Sequence, residues 1–401
     1  MIETNAIVAS GKAFLTSIGE MTEENMGRLY DTKNVIFDME PQFDYLNIRC
    51  SRAKKVNKSN WKEFDSALSF RRLPNAYKFA LYVVDKALCN AKVDSDSNIS
   101  VGVFFATGLS AISSVEKFYH PISVGGIEKG SPLLFPNTTS SVGCGLISLR
   151  YGFNGKSIAI SNAGVSVLQS VDLAISSIQN NEIDYAIVVG TEELTETVYK
   201  AFYHTGMLGY GDDKGGIIPY NMKKNNTTIL GEGAAALILE KEQNVVNRGL
   251  LERTRIGNVE SCNVDVNDEF ASDIYVDTIK RCLKSNNVAI EDVDFVVSSA
   301  NGNHNLDKCE KDALIKIFGD DIPNLIFPSL YFGETDGASG ALSIICAIDM
   351  MERNQSMKRP VNLNEHFQAI GLNEKVIRNY KCALVLSSSY YGDFTCTVVK
   401  R

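Results

Sequence analysis

The sequence predicts an α/β layered fold made of two similar halves, on three observations. Short runs rich in β-branched and aromatic residues alternate with longer runs of helical periodicity. The short runs are largely apolar, as in strands of mainly buried sheets. Such a set appears up to residue 240 and again after about residue 290, in one uninterrupted chain.

Taken in order, residues 100–107 (SVGVFFAT), 156–161 (KSIAIS), 184–190 (DYAIVVG) and 234–240 (AAALILE) read as strands. Between the middle two, apolar residues at 165, 168, 171, 175 and 178 recur on one face, so 165–178 reads as a helix. In the second half, 294–299 (DFVVSS) and 382–387 (CALVLS) read as strands, and 312–318 and 338–351 as helices. No direct sequence repeat links the halves, and no low-complexity or Pro/Gly/Ser-rich linker divides them.

Composition narrows the function. The chain has 401 residues, 44% hydrophobic and 22% charged, which supplies a large core and excludes a disordered or fibrous chain. With 40 Lys+Arg against 48 Asp+Glu, the net charge is −8 and no basic stripe stands out. That argues against nucleic acid or an anionic membrane as partner. The longest apolar stretches, such as 234–239, fall far short of the roughly 18–20 residues of a membrane helix. The start, MIETNAIVAS, has no positive segment before an apolar one, so no secretory signal is expected. Nine cysteines form no CxxC pair, which suggests neither a zinc site nor a redox motif. Several, such as Cys89 in ALYVVDKALC and Cys346 in LSIICAI, sit in apolar runs. The expectation is reduced, mostly buried thiols in a cytoplasmic protein.

Longer strings carry a resemblance. Residues 69–88 (SFRRLPNAYKFALYVVDKAL), then VGVFFATGLSAI, FPNTTSSVGCGLISLRYGFNGKSIAIS, DYAIVVGTEEL and AFYHTGMLG, resemble the β-ketoacyl synthases. So do ILGEGAAALILEKE, with Gly231-Glu232-Gly233, and PSLYFGETDGASGALSIICAID. They cover nearly the whole chain in that family's order. The resemblance implies a thiolase-like five-layered α-β-α-β-α fold with two duplicated halves, residues 1–245 and 246–401, normally dimeric.

The catalytic positions depart from that family. Its Cys nucleophile, at the start of a buried helix whose dipole favours the thiolate, belongs to a Thr-Ala-Cys motif. Here the motif reads Asn162-Ala163-Gly164. The family's His-Gly-Thr-Gly-Thr loop is Asn301-Gly302-Asn303-His304-Asn305, two residues shorter before Asp307-x-x-Glu310. Its second His, in Gly-His-Thr-x-Gly-Ala, is Glu334, and the Lys five residues earlier is Ser329. Claisen condensation needs a thiolate and two imidazoles to hold and polarise a malonyl unit. A carboxylate there repels the malonyl group, and a lone amide has no nucleophile to serve. All three positions change together, so no catalytic residue is expected.

The C-terminal run Tyr390-Tyr391-Gly392-Asp393-Phe394-Thr395 stands where active synthases have Gly-Phe-Gly-Gly-Thr-Asn. Its Gly-x-Phe element and the loss of both histidines resemble the chain length factor, or ketosynthase β subunit, of type II polyketide synthases. The resemblance implies a heterodimer with an active ketosynthase α subunit, and an acyl carrier protein presenting a phosphopantetheine-tethered acyl chain. It implies no cofactor of the chain's own and no metal. Chain length factors of the best-known aromatic pathways carry Gln at the nucleophile position, from which Gly164 departs. The tunnel and interface candidates are Phe135, Thr138, Thr139, Val142, Gly164, Tyr390, Tyr391 and Phe394. The small side chains of 138–143 are expected to leave volume for a medium or long product.

Plainer roles stand beside these. Gly164 serves close packing or lines a tunnel; His304 is solvated rather than a displaced base; Cys144, in an apparent apolar helix, is a buried, inert thiol. Glu232 bonds backbone and neighbouring loops, Tyr390 and Tyr391 line a tunnel or cover a core edge, and the charged run 212–214 is solvated loop. Other readings are a scaffold subunit in polyene or fatty-acid-type assembly, or an acyltransferase with relocated chemistry at His304 or Cys144.

Overall fold

A computed structural model describes residues 6–31, 52–56, 70, 72–93, 99–209, 216–221, 223, 225–249, 254–360, 363–372 and 379–401. Cys50, Ser69, Arg71 and the run 212–214 lie outside the described residues. In chain order the strands are β1 Ile7–Thr16, β2 Gly19–Glu20, β3 Val101–Thr107, β4 Ser157–Ser161, β5 Tyr185–Glu192 and β6 Gly233–Lys241. They continue with β7 Arg255–Ile256, β8 Glu260–Asn263, β9 Phe295–Val297, β10 Asn324–Ile326, β11 Cys382–Ser388 and β12 Asp393–Lys400.

Hydrogen bonding runs β10-β9-β11-β12-β7-β1-β6-β5-β3-β4, with β2 added to β1 and β8 to β12. The apolar strands behave as their composition dictates. β3 lies parallel between β4 and β5, and β9 parallel between β10 and β11. Two-residue β7 pairs with both β1 and β12 and so links the sheet of the first half to that of the second.

Helices sort into layers by how much of their surface is apolar. Helix Ser339–Arg353 is buried from Gly340 to Met351, as expected of a helix that is apolar all round. It packs on strands of both sheets and against helix Ser166–Gln179, which fills the space between them. Helix Asn75–Ala91 covers β1, β6 and β5 from outside. Helix Ala271–Ser285 covers β12 and β8 on the other outer face, with helix His304–Phe318 beside it. The result is the expected five-layered, thiolase-type stack, with one core between the sheets and one under each outer helical layer.

Both central helices are entered alike, although no sequence repeat betrays it. Ala163 (φ 48°) and Asp336 (φ 45°) take left-handed backbone, and each opens a short 3₁₀ turn leading into the helix. Both sites therefore hang from rare backbone geometry in buried surroundings.

Two expectations need correction. Six of the eight described cysteines are buried, but Cys89 is exposed, on the solvent side of the last turn of its helix. Residue 312 does not begin a helix either. The helix starts at His304, with Asn303 capping it by accepting from Leu306 N at 3.4 Å.

Candidate functional site

Gly164 sits in the 3₁₀ turn that opens helix Ser166–Gln179, buried between β4 and the end of β11. Ser387 Oγ donates to Gly164 O at 2.7 Å. A Cβ placed on Gly164 would stand 2.4 Å from the carbonyl oxygen of Ser388. The place where a nucleophile's side chain would begin is thus filled by backbone from the other half of the chain. Ser166 locks the turn from below: its Oγ donates to Thr107 O (2.9 Å) or Ala163 O (2.8 Å), and accepts from Asn162 N (2.8 Å).

The other two altered positions meet. Asn301 Nδ2 donates to Glu334 Oε2 in a short contact, while Glu334 Oε1 accepts from Asp336 N and Ser339 Oγ, both at 2.8 Å. Both carboxylate oxygens are therefore engaged by the protein. Two buried acids fix the loop that carries Asn301. Asp307 accepts from the backbone of Asn301 and Gly302 at 3.1 Å and of Tyr220 at 3.0 Å. Burial raises its carboxyl to about 7 against the pull of those amides. Glu310 accepts from Tyr220 Oη (2.6 Å), Ser299 N (3.0 Å) and the hydroxyls of Ser298 and Ser299; burial again raises its pKa. Ser329 donates to Ala300 O at 2.7 Å.

Beneath these residues lies a cavity of about 30 Å³, lined by Ser298, Ser299, Ser329, Ser339, Ser387 and Ser388 among others, with Glu334 in its wall. That is room for one water-sized group, not for an acyl chain.

Two further acids, which sequence reasoning passed over, couple the halves. Glu192 ends β5 and accepts from Gly108 N (2.6 Å), Leu109 N (2.9 Å) and Gly337 N (3.3 Å). A Cβ on Gly108 would stand 2.8 Å from Asp336 Oδ2 and 3.0 Å from Glu192 Oε2, so the two carboxyls converge on one spot. Burial, only partly offset by the backbone donors, pushes Glu192 up to about 8. Burial and the charges of Glu192 and Glu334 push Asp336 well above the carboxylate range. Tyr390 Oη donates to Asp336 Oδ2 at 3.1 Å, and its ring meets Phe202 edge-on. The one available sequence signal was an acid after an apolar strand, in VVGTEEL, and another inside a small-residue turn.

The remaining expected residues scatter. Tyr391 is 63% exposed beside Tyr390. Phe394 is fully buried, stacked on Tyr275 at 3.9 Å in the outer core, and does not line the serine cavity. His304 is half-buried, its backbone N donating to Asn226 Oδ1 at 2.9 Å. Cys144 is buried in helix Ser141–Tyr151 with Sγ 3.0 Å from Ser141 O. Glu232 accepts from Val56 N (3.1 Å) and Leu194 N (3.0 Å), the bonding role expected.

Phe135 is 55% exposed and packs on Phe118, while Thr138, Thr139 and Val142 are partly or wholly exposed. Gly143, in the run 138–143, is buried against Phe105 of β3. A Cβ there would stand 2.4 Å from the Phe105 ring, which already fills the space. This region carries an apolar surface: Tyr119, Val124, Ile127, Leu133, Phe135 and Leu149 are all exposed, Leu133 by 89% and Leu149 by 81%. β4, which among the described residues pairs with β3 alone, forms the adjoining sheet edge. No described helix is long and apolar enough to cross a membrane.

Two family models match the chain: "Beta-ketoacyl synthase, N-terminal domain" over residues 4–244 and "Beta-ketoacyl synthase, C-terminal domain" over 268–363. The 3-oxoacyl-[acyl-carrier-protein] synthase 2 of Coxiella burnetii is 23% identical, covering 99% of each chain. That of Vibrio harveyi is 24% identical over 61% of this chain and 59% of its own. Among solved structures, a beta-ketoacyl synthase from Burkholderia phymatum superposes with a TM-score of 0.82 at 18% identity, over 99% of both chains. The ishigamide ketosynthase/chain length factor does so at 0.78 and 19%, again over 99% of both. These structural likenesses carry the fold.

Proposed function

We propose that this chain, which belongs to the β-ketoacyl synthase family, is a non-catalytic chain length factor. In this reading it pairs with an active ketosynthase α subunit and helps shape the tunnel in which a polyketide grows. The observation that carries the reading is Gly164. Where condensation needs a thiolate there is no side chain, and the position of its Cβ lies 2.4 Å from Ser388 O. The Asn301–Glu334 bond supports it, because the two groups that should face a malonyl unit are bonded to each other.

Partnership is supported by the exposed apolar surface around Leu133 and Leu149 beside the sheet edge at β4. Large apolar patches beside a sheet edge call for a cover in a stable assembly. The acyl carrier protein would deliver its phosphopantetheine-tethered chain mainly to the active subunit. A net charge of −8 suits that division, since carrier proteins are typically acidic. Co-expression with a ketosynthase, followed by native mass spectrometry, tests the reading. A 1:1 complex with acyl adducts only on the partner supports it, and condensation by the isolated chain overturns it.

A further inference from the structure

A cleft of about 560 Å³ opens at the far end of helix Ser166–Gln179 from Gly164. At 1.5 Å per residue it lies roughly 20 Å from the altered catalytic positions. Both halves wall it, because β7 crosses there between the two sheets. Gln179 comes from the first half, Asn258, Asn287, Lys400 and Arg401 from the second, and Arg255 from β7 itself. Among the described residues no Asp or Glu side chain lines it, in a chain whose net charge is −8.

The walls are firmly built. Asn286 Oδ1 accepts from Asn258 N at 2.7 Å, and its amide donates to Asn258 O at 3.0 Å and Cys282 O at 2.9 Å. Gly257 is required beside it, since a Cβ there would stand 2.2 Å from Asn286 Oδ1. Asn287 is held in left-handed backbone (φ 52°).

The electrostatics decide the ligand's sign. Helices Ser166–Gln179 and Ala271–Ser285 both end at the cleft, and their last carbonyls bring partial negative charge. Lys400 Nζ covers one such end by donating to Asn286 O at 2.8 Å, and Arg401 donates to Met351 O at 2.7 Å. Arg255 pairs with the buried Glu242 at 3.0 Å. Among the described side chains that line or back the cleft, three cations thus stand with one carboxylate, that of Glu242, set behind the wall.

We propose that this cleft binds a phosphate-bearing small molecule, the guanidinium and ammonium groups taking the phosphate and the carboxamides taking hydroxyls of its organic body. Guanidinium matches phosphate oxygens two at a time. The volume falls within the roughly 300–1,000 Å³ of small-molecule sites and exceeds what a bare phosphate fills.

Isothermal titration of the full chain with inorganic pyrophosphate and with ADP, at fixed ionic strength, tests this. Saturable 1:1 binding with a Kd below about 1 mM is expected, weakened about tenfold or more in Lys400→Ala/Arg401→Ala. Lys200→Ala/Lys308→Ala, which removes exposed cations elsewhere, should bind as the parent does. ADP binding about tenfold tighter than pyrophosphate is expected from the contacts to an organic body, and equal binding of the two overturns that part of the proposal. If the alanine variant does not fold, Lys400→Gln/Arg401→Gln gives the same reading. Absence of saturable binding of either compound up to about 10 mM, or undiminished binding by the folded variant, overturns the proposal.

Discussion

Gly164→Ala adds one methyl group at the most informative point in the molecule. The φ of Gly164 lies outside the left-handed region, so the backbone itself admits alanine. Contact alone sets the cost. The new Cβ would stand 2.4 Å from Ser388 O, where ordinary van der Waals contact begins at 3.4 Å, so one strand or turn must yield by about 1 Å. Overpacking of that kind costs about 1–3 kcal/mol. The displacement also strains the Ser387 Oγ–Gly164 O bond of 2.7 Å, a contribution of about 0.5–1.5 kcal/mol. Alanine's higher helix propensity returns at most about 1 kcal/mol. Net destabilisation of about 1–3 kcal/mol is expected, read as a shift of the urea unfolding midpoint at unchanged slope. Gly164→Cys should lose as much and still not condense, for want of both imidazoles. A variant as stable as the parent, within about 0.5 kcal/mol, would mean that Ser388 yields freely and that the position is not sealed.

Raising the pH from about 5 to 8 should lower thermal stability. Glu192 keeps its proton in the folded chain up to about 8, against 4.5 for an unperturbed glutamate, and Asp307 to about 7 against 3.8 for an unperturbed aspartate. The folded state therefore binds more protons across that window, and stability falls through it as the unfolded carboxyls ionise first. Asp336→Asn, which removes a titratable carboxyl of raised pKa next to Glu192 and suits left-handed backbone, should flatten the slope in thermal unfolding followed across pH. Glu334→Gln turns an amide towards Asp336 N–H, Ser339 Oγ or Asn301 Nδ2, and should cost about 1–3 kcal/mol in the same assay. Leu133→Asp/Leu149→Asp, both on the exposed apolar surface, should leave unfolding unchanged yet weaken partner association by roughly 10- to 100-fold in titrated native mass spectra.

Much of the fold was legible because the buried strands are continuously apolar. Each strand read from the sequence matches an observed one to within two residues at either end, the shortest match being β9, where Phe295–Val297 of residues 294–299 pairs. β1 was not read, since Ser10, Gly11 and Lys12 interrupt its apolar run, and Gly11 is there to let Ala87 O approach. Helix His304–Phe318 was found only in its second half, because its first turn spends polar side chains on capping and on the Asp307 and Glu310 networks. The altered site was legible as three residue types, but not as an arrangement. That Ser388, more than two hundred positions away, closes over Gly164, and that Asn301 reaches Glu334, depend on how the two halves dock. The coupled carboxyls of Glu192 and Asp336 were hidden for the same reason.

Native mass spectrometry of this chain, expressed alone and then with a ketosynthase partner in the presence of acyl carrier protein and malonyl units, bears most directly on the central claim. The account predicts a 1:1 complex on co-expression, with acyl intermediates on the partner's nucleophile and none on this chain. Soluble homodimers that ignore the ketosynthase, or an acyl adduct on this chain itself, would contradict it.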